Sequence, residues 1–332
     1  MKIILNHDLP FSFAHGGVTN IVRRTWQTLE KLGFEVEPLR WWDDQQTADI
    51  LFQFCRPSNL LVDYARSRGL KVVVEQVLTG LVSRAPWKRR IETVAIYQLR
   101  RLPSMVSEPF GWRAFETVDM HFVPSRHDAR VIREVFGVPQ EKISILEYGV
   151  DDEFLCCKRP TQRGDRLICT ATITERKQVL ELATASYAAE VPLDIVGKPY
   201  SPSDPYFLTF NKVVTQSRGL IRHIPHVNSR TTLAEMLASS RGFVLLSTME
   251  TVSQSALEAA ACGCPLLLPD LEWARGAFGD HSTYAPRSTA PFRLAPTLAD
   301  FYRHAANKTQ NFPSGSWLEK RKHLKSTLSS LL

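Results

Sequence analysis

The sequence predicts an α/β protein built from two parallel-sheet domains. Apolar runs of strand length alternate with segments of helical periodicity along the 332 residues, as in βαβ units. The alternation is interrupted by the polar segment 158–165, which has the composition of a linker. With 44% hydrophobic residues, each half can bury a core. We therefore expect domains over residues 1–158 and 166–310, and a closing helical segment over 311–332 that packs on the first domain.

The first series of elements begins at the amino end. Strands are predicted over 2–6, 34–39, 49–54, 70–75, 120–125 and 142–146, and helices over 18–32, 58–68 and 126–136. Gly16 and Gly17 directly precede the first of these helices. Glycines at such a place allow a ligand to approach both the backbone and the helix N-terminus closely.

The second series begins at residue 166. Strands are predicted over 166–171, 193–197, 220–224, 243–247 and 265–269, and helices from 179, over 205–216, 231–237 and 254–262, with closing helices over 289–304 and 317–331. In open α/β sheets, ligands bind beyond the carboxyl ends of the parallel strands. The loops that follow these strands are therefore where we look for functional residues.

The strand-loop-helix segment 243–262 contains two carboxylates and a helix start. Ser253 is a good candidate for the helix N-cap, and the free N–H groups at Ser253, Gln254 and Ser255 suit a phosphate. Glu250 lies in the loop before this helix, and Glu258 lies one turn further on among alanines. A carboxylate on so apolar a helix needs partners, and a ribose diol is one candidate. A capped surface loop with an ordinary helical glutamate is the alternative.

Two cations stand at another strand end. Arg176 and Lys177 follow the strand 166–171 and precede a helix. Positive charge at a helix start is unfavourable unless an anion joins it, so the pair is a candidate phosphate site. A solvated Arg-Lys pair is the alternative. His226 and Val227 lie in the loop after the strand 220–224, at the same predicted edge.

The spacing of the two glutamates resembles a known signature. Glu250 and Glu258, with the run 259–265 of sequence Ala-Ala-Ala-Cys-Gly-Cys-Pro behind them, look like the motif of retaining glycosyltransferases of family 4, which have the GT-B fold. The resemblance extends along nearly the whole chain. It implies two Rossmann-like domains that face a central cleft. The sequence departs from the family pattern at Thr172, in place of an arginine, and at Thr251 and Val252, in place of glycines.

The resemblance implies roles for the candidate residues. Glu250 would lie near the donor sugar, Glu258 would bind the ribose, and Lys177, with Arg176 beside it, would bind the diphosphate. Gly16 and Gly17, with Ser253, Gln254 and Ser255, would contact the phosphates, and His226 and Val227 would lie near the base. Glu250 and Lys177 are the expected catalytic residues. At Glu75, where the family often has a histidine near the sugar, the sequence names no catalytic base.

The implied reaction is transfer of a sugar from a nucleotide diphosphate sugar to a glycan or lipid-linked acceptor, with retention of configuration. No Asp-x-Asp motif occurs, so we expect neither a metal nor a cofactor besides the donor. A sugar-nucleotide epimerase of the same fold and a non-catalytic nucleotide-sugar-binding module are the alternatives.

Composition bounds the partners and the compartment. A formal charge of +7 permits any anionic partner, and the resemblance favours a nucleotide over nucleic acid. No apolar run approaches the length of a membrane span, and the six cysteines form no CxxC pair, so we expect a cytoplasmic protein with reduced thiols. Residues 87–101 combine cations and aromatics at helical spacing. They predict either a surface helix or a peripheral contact with the inner face of a membrane.

Overall fold

The computed structural model describes residues 1–8, 17–99, 112–227, 229–287 and 290–332. The chain divides into two compact units, one formed by Met1–Gly149 with Trp317–Leu332 and the other by Val150–Ser316. Each unit contains a six-stranded sheet in which every recorded strand pair is parallel. The predicted α/β class with two parallel sheets is therefore confirmed. None of the described helices is long and apolar enough to cross a membrane.

In the first unit the strands are ordered β2-β1-β3-β4-β5-β6. They are β1 Lys2–Asn6, β2 Glu35–Pro38, β3 Ile50–Phe54, β4 Lys71–Glu75, β5 Met120–Val123 and β6 Ile143–Ile145. The helices are α1 Gly17–Lys31, α2 Asn59–Ser67, α3 Thr79–Val82, α4 Pro86–Leu99, α5 Ala114–Thr117 and α6 Arg126–Phe136. The central strands β3 and β4 are buried except at Lys71, as their largely apolar runs require of a sheet that is covered on both faces.

In the second unit the order is β12-β11-β10-β7-β8-β9. The strands are β7 Leu167–Thr170, β8 Leu193–Val196, β9 Ile221–Ile224, β10 Gly242–Val244, β11 Leu266–Pro269 and β12 Thr283–Ala285. The helices are α7 Asp152–Leu155, α8 Val179–Ala188, α9 Pro205–Gln216, α10 Arg230–Ser239, α11 Gln254–Ala261, α12 Glu272–Phe278 and α13 Pro291–Ala305. The chain adds β8 and β9 on one side of β7 and then β10 on the other. The gap between the ends of β7 and β10 is thus a topological switch point.

Local signals set several of the element boundaries. The Ser125 hydroxyl accepts a hydrogen bond from the Asp128 N–H at 3.1 Å and caps α6. The same helix ends at Gly137, whose φ of 67° is the left-handed conformation typical of helix C-termini. Pro205 at the first position of α9 follows the N-cap Asp204. These helices begin and end within a residue or two of the predicted positions.

Gly197, at the end of β8, allows the main chain of the loop after β7 to pass close to this strand. Its φ is +149°, and a Cβ atom there would lie 2.0 Å from the backbone oxygen of Ala171, in the loop after β7. No larger residue fits, because the obstacle is main chain. This close approach fixes the position of the loop that carries the cationic residues of the candidate site.

The residues of the predicted linker bond to the second unit. The Gly164 N–H donates to Ser239 O at 2.7 Å, and the Arg163 guanidinium donates to Ala238 O at 2.9 Å. The compact units themselves divide between Gly149 and Val150. The polar segment 158–165 can therefore be ordered, because the Arg163 side chain satisfies carbonyls at the end of α10.

The closing segment belongs to the first unit. The sequence predicts one helix here, and the structure instead has two, α14 Trp317–Arg321 and α15 Leu324–Ser329, with a turn at Lys322 and His323 between them. Lys322 and Lys325 are three residues apart, and like charges at this spacing weaken a continuous helix.

Arg321 joins this segment to the sheet through a completely buried ion pair. Its guanidinium contacts both carboxylate oxygens of Glu75, at 2.7 and 3.1 Å, and the two side chains are 0% and 1% exposed. The Thr25 hydroxyl on α1 donates to the same carboxylate at 3.1 Å and also contacts the guanidinium. Glu75, at the place where the resembled family often has a histidine, is therefore a structural residue.

Helix α4 corrects part of the expectation for the segment 87–101. Arg89 is buried, and its guanidinium donates to Arg84 O at 3.3 Å, so its charge does not face solvent. The side chain points inward because it occupies the helix face that packs on the unit. Lys88 and Arg90 are exposed. Arg100 and Arg101 lie outside the described residues.

Arg321→Met is expected to lower the free energy of unfolding by ~3–5 kcal/mol, because it leaves the Glu75 carboxylate buried without its cation. Urea-induced unfolding measures the change. Lys320→Ala is the matched control, since Lys320 forms an ion pair with Glu147 at 2.8 Å that is far more exposed, and such pairs contribute ~0–1 kcal/mol. The double variant Arg321→Met/Glu75→Gln should recover part of the loss. Equal stabilities of Arg321→Met and Lys320→Ala would show that the buried pair is not important.

Candidate functional site

Two loops meet at the switch point of the second unit. The loop after β7 contains a short 3-10 helix, Glu175–Lys177, and leads into α8. The loop after β10 leads into α11. A hydrogen bond from the Thr248 N–H to Arg176 O, at 2.9 Å, joins the two loops. The buried indole of Trp273 donates to Ser247 O at 3.2 Å and holds the second loop from the other side.

Glu250 is the centre of the first charged cluster. Its Oε1 accepts from the Ser247 hydroxyl at 2.6 Å and from the Arg176 guanidinium at 3.1 Å, and it contacts the Lys177 ammonium. The side chains of Glu250 and Lys177 are 11% and 13% exposed, whereas that of Arg176 is 39% exposed. The structure thus brings together three of the predicted residues. Glu250 is the anion that two cations at a helix start require.

Glu258 is the centre of a second cluster. Its Oε1 accepts from the Arg230 guanidinium at 2.9 Å, and the same guanidinium contacts Asp151 Oδ2 at 3.0 Å. Arg230 also lies over the ring of Phe154, 5.4 Å from its centroid. The sequence predicted that Glu258 needs partners but named none in the chain. Arg230 could have been found by the argument used for Lys177, because it is a cation at the first position of a helix, α10.

The N-terminus of α11 lies in the chain between these two glutamates. Ser253 is its N-cap, with its hydroxyl accepting from the Ala256 N–H at 3.4 Å, so that prediction is confirmed. The Ser253 and Ser255 hydroxyls are also 3.1 Å apart and hydrogen-bonded. The N–H groups of a first helical turn have no intrahelical acceptor and point outward. An anion is stabilised at such a helix end.

Three buried polar atoms near this edge have no hydrogen-bond partner among the described residues. They are Thr170 Oγ1 at the end of β7, Thr174 Oγ1 in the loop that follows, and Gln254 Nε2 in the first turn of α11. Buried polar atoms in folded proteins are almost always satisfied by protein, by water or by a ligand. Their concentration at the switch point is what a polar ligand site requires.

The other predicted site residues are less constrained. His226 is exposed and Val227 is partly buried, in the loop between β9 and α10. This loop also lies at the carboxyl edge, at the outer strand of the sheet. Gly17 is the first residue of α1 in the first unit, with no atom within 4 Å of the position its Cβ would take. Gly16 lies outside the described residues.

Burial keeps two thiols and one histidine of the described chain neutral. All six cysteines are free thiols, and burial raises the pKa of Cys169 and of Cys264 to about 12, so both stay protonated. Burial lowers the pKa of His121 to about 4, and its imidazole is held by Gln76 and by Phe115 O. Within the described ranges, no three His, Cys, Asp or Glu side chains are grouped as metal ligands.

By sequence, the chain matches no protein-family model and no curated protein. Solved structures do match it. Anabaena HepE, determined with UDP and glucose, is 12% identical with a TM-score of 0.63, and the match covers 99% of both chains. Sucrose-phosphate synthase from Thermosynechococcus elongatus is 13% identical with a TM-score of 0.65, and the match covers 99% of this chain and 98% of that one.

A third structure is larger than this protein. The pneumococcal O-GlcNAc transferase GtfA, determined with UDP and GlcNAc, is 14% identical with a TM-score of 0.60, and the match covers 85% of this chain. This chain spans only 57% of GtfA. At such identities the likeness concerns architecture. The chain has the two-unit α/β fold of these structures, which is the GT-B fold.

Proposed function

We propose that this protein is a glycosyltransferase that takes a sugar from a nucleotide diphosphate sugar and transfers it, with retention of configuration, to a glycan or lipid-linked glycan. The observation that carries the proposal is the switch point of the second unit. There a helix N-terminus follows Glu250, which binds two cations, and precedes Glu258, which binds one. That HepE and GtfA, which share the fold, were determined with UDP supports this function.

Glu258 is proposed to accept hydrogen bonds from the ribose. Its carboxylate is 11% exposed and pairs with Arg230, so it can offer charge-assisted acceptors to a diol. Arg230 acts as a positioning residue, because its contact with Oε1 fixes the orientation of the whole Glu258 carboxylate. His226 and Val227, at the outer part of the same edge, are proposed to lie near the base.

Lys177 is proposed to stabilise the leaving diphosphate. In this step the bond between the sugar carbon and the phosphate oxygen breaks, and negative charge develops on that oxygen. Lys177, with Arg176 beside it, and the N–H groups at Ser253 to Ser255 are preorganised to receive that charge. These cations take the electrostatic role that a metal has in other transferases, so we propose a reaction without one.

Glu250 is proposed to face the transferred sugar. Its Oε1 is held by Ser247, Lys177 and Arg176, so the carboxylate is fixed in direction. A carboxylate held this way can orient sugar hydroxyls. With retention, the acceptor hydroxyl attacks from the face on which the phosphate leaves. We therefore assign the acceptor's proton to the departing phosphate oxygen and name no side chain as a base.

Helix α4 is proposed to bring the protein to the cytoplasmic face of an anionic membrane, where a lipid-linked acceptor would be met. Trp87, Ile91, Val94 and Tyr97 are all exposed, and their spacing places them along one face of the helix. Lys88 is exposed beside this apolar stripe, as is Arg90. A helix that exposes aromatic and aliphatic residues next to cations is typical of interfacial binding.

Glu258→Gln is expected to weaken binding of the cognate nucleoside diphosphate by ~1.5–3 kcal/mol, because an amide replaces a charge-assisted acceptor. Isothermal titration calorimetry with UDP, GDP and ADP measures the affinity. Glu235→Gln on α10 is the control, since Glu235 is exposed in the same unit. Unchanged affinity in Glu258→Gln, together with an unchanged control, would refute the ribose assignment.

Lys177→Ala is expected to lower kcat. The activation free energy should rise by ~2.7–4 kcal/mol, because one preorganised charge partner of the leaving group is lost. Arg176 remains to pair with Glu250, so the loops should keep their structure. Turnover is measured as release of nucleoside diphosphate from a panel of mass-tagged nucleotide sugars. Lys212→Ala, an exposed lysine of α9, is the control. Conversion of the donor into an epimer, without transfer, would instead identify an epimerase.

Wild-type protein is expected to float with vesicles that contain phosphatidylglycerol, and less so at high salt, because each cation near an anionic surface contributes ~1 kcal/mol. Trp87→Ala/Ile91→Ala should stay in the aqueous fraction, since it removes apolar area that enters the headgroup layer. Tyr200→Ala is the control, as Tyr200 is equally exposed but lies in the other unit. Wild-type protein that remains aqueous at low salt would make α4 an ordinary surface helix.

A further inference from the structure

The first unit has a groove where a covering helix would normally lie. β2 and β3 flank β1 in the sheet, so the connection 39–49 must cross β1. All of its residues are described, and none of them is helical. Without a helix in this connection, the sheet residues Ile4 and Leu51 lie beneath α2 and the connection itself. Between these two lies a cavity of about 280 Å³.

Three aromatic side chains line the groove and remain largely exposed. Trp41 and Trp42, in the connection, are 74% and 82% exposed, and Tyr64 on α2 is exposed as well. Burying a large aromatic side chain is a major source of stability, so two neighbouring exposed indoles bring no advantage to the isolated fold. Contiguous exposed apolar surface at a cavity is typical of a binding site.

The segment that carries the two indoles is held firmly. The buried Gln46 side chain donates to Glu37 Oε1 at 2.8 Å and to Pro38 O at 2.9 Å, and it accepts from the Arg40 N–H at 2.8 Å. The hydrogen bond from Gln46, with help from Arg40, lowers the pKa of Glu37 to about 2. This network stays ionised at neutral pH. A pinned segment presents Trp41 and Trp42 in a defined direction, which lowers the entropy lost on binding.

One further contact lies within the segment, where the Arg40 guanidinium binds Asp43 at 2.8 Å. A second contact joins the segment to the opposite wall, because the Arg68 guanidinium, at the end of α2, donates to Asp44 O at 2.5 Å.

The charges around the mouth balance. Two cations, Arg40 and Arg68, and two carboxylates, Asp43 and Asp44, line the groove. This differs from α4, where cations stand beside the apolar stripe, and it does not attract an anionic ligand. The complementary ligand is neutral, with an apolar face for the aromatic rings and polar groups for the charged rim.

We propose that this groove binds a neutral carbohydrate, with the C–H face of a sugar ring against Trp41 and Trp42 and its hydroxyls toward Asp43, Asp44 and Arg68. A sugar ring combines an apolar face with a rim of hydroxyls, which is the pattern that the groove presents. The volume, slightly below the ~300–1,000 Å³ of typical ligand pockets, suits one ring of a longer chain. Identifying that chain as the acceptor rests on the glycosyltransferase function proposed above, whereas the binding itself does not.

The test uses the full chain and three neutral trisaccharides, maltotriose, cellotriose and chitotriose. Saturation-transfer difference NMR identifies those that bind, and calorimetry measures their affinity with and without UDP. At least one should bind the wild-type protein, and Trp42→Ala should weaken it roughly tenfold through loss of one stacked ring. Trp87→Ala removes an exposed indole of the same unit outside the groove, and its affinity should equal the wild type.

The outcomes separate the groove from the donor site. Saccharide binding that Trp42→Ala weakens and Trp87→Ala preserves supports the proposal, even if no nucleotide binds and the transferase function fails. If nucleotide binds but no trisaccharide does, or if Trp42→Ala binds the trisaccharide with wild-type affinity, the groove proposal is wrong and the donor-site proposal stands. A shift of the indole emission to shorter wavelength on addition of 1-octanol, lost in Trp41→Ala/Trp42→Ala, with no saccharide bound, would identify an apolar ligand and also overturn the proposal.

Discussion

The candidate site depends on the reversal of strand order beside β7. Because the chain first adds β8 and β9 on one side and then β10 on the other, no crossover covers the gap between the ends of β7 and β10. The loop after β7 and the loop after β10, which are far apart in sequence, therefore meet at this gap. Arg176 and Lys177 arrive with one loop and Glu250 with the other. Gly197 makes this possible, since any side chain there would collide with the main chain at Ala171.

Paired charges serve two purposes in this protein, and solvent exposure distinguishes them. Arg321 and Glu75 are completely buried and close a network with Thr25, so neither can leave its partner without a large desolvation cost. The Lys177–Glu250 and Arg230–Glu258 pairs each retain an exposed edge. A ligand can reach that edge and compete for the same atoms. The first pair stabilises the fold, and the other two are suited to binding.

The first unit presents two surfaces of different chemistry. Helix α4 exposes an apolar stripe beside cations, whereas the groove between α2 and the connection 39–49 exposes indoles within a balanced set of charges. Both surfaces expose aromatic area that the fold itself does not bury. The α4 surface, with its cations, is complementary to an anionic surface, and the groove, with its balanced charges, is complementary to a neutral ligand. In the reaction proposed above, this unit would receive both parts of a lipid-linked glycan.

The amino-acid sequence by itself determined the elements and the nearby chemistry. Periodicity predicted the described strands except β12, and most helices, and the cap residue Ser253 predicted where α11 starts, because these signals act within a few residues. The position of Lys177 and Glu250 after strands predicted that they share an edge, since parallel strands end on one side of the sheet. These inferences need only local pattern and the geometry of a parallel sheet.

Only the tertiary structure decided which side chains meet. It assigned Arg230 and Asp151 to Glu258, placed Glu75 in a buried pair with Arg321, and turned Arg89 inward on α4. It also showed that the connection 39–49 leaves a groove, which the tryptophan pair in the sequence did not reveal. Each of these contacts joins residues from separate elements. Their pairing follows from how the elements pack, and a one-dimensional pattern of apolar and polar residues does not contain that information.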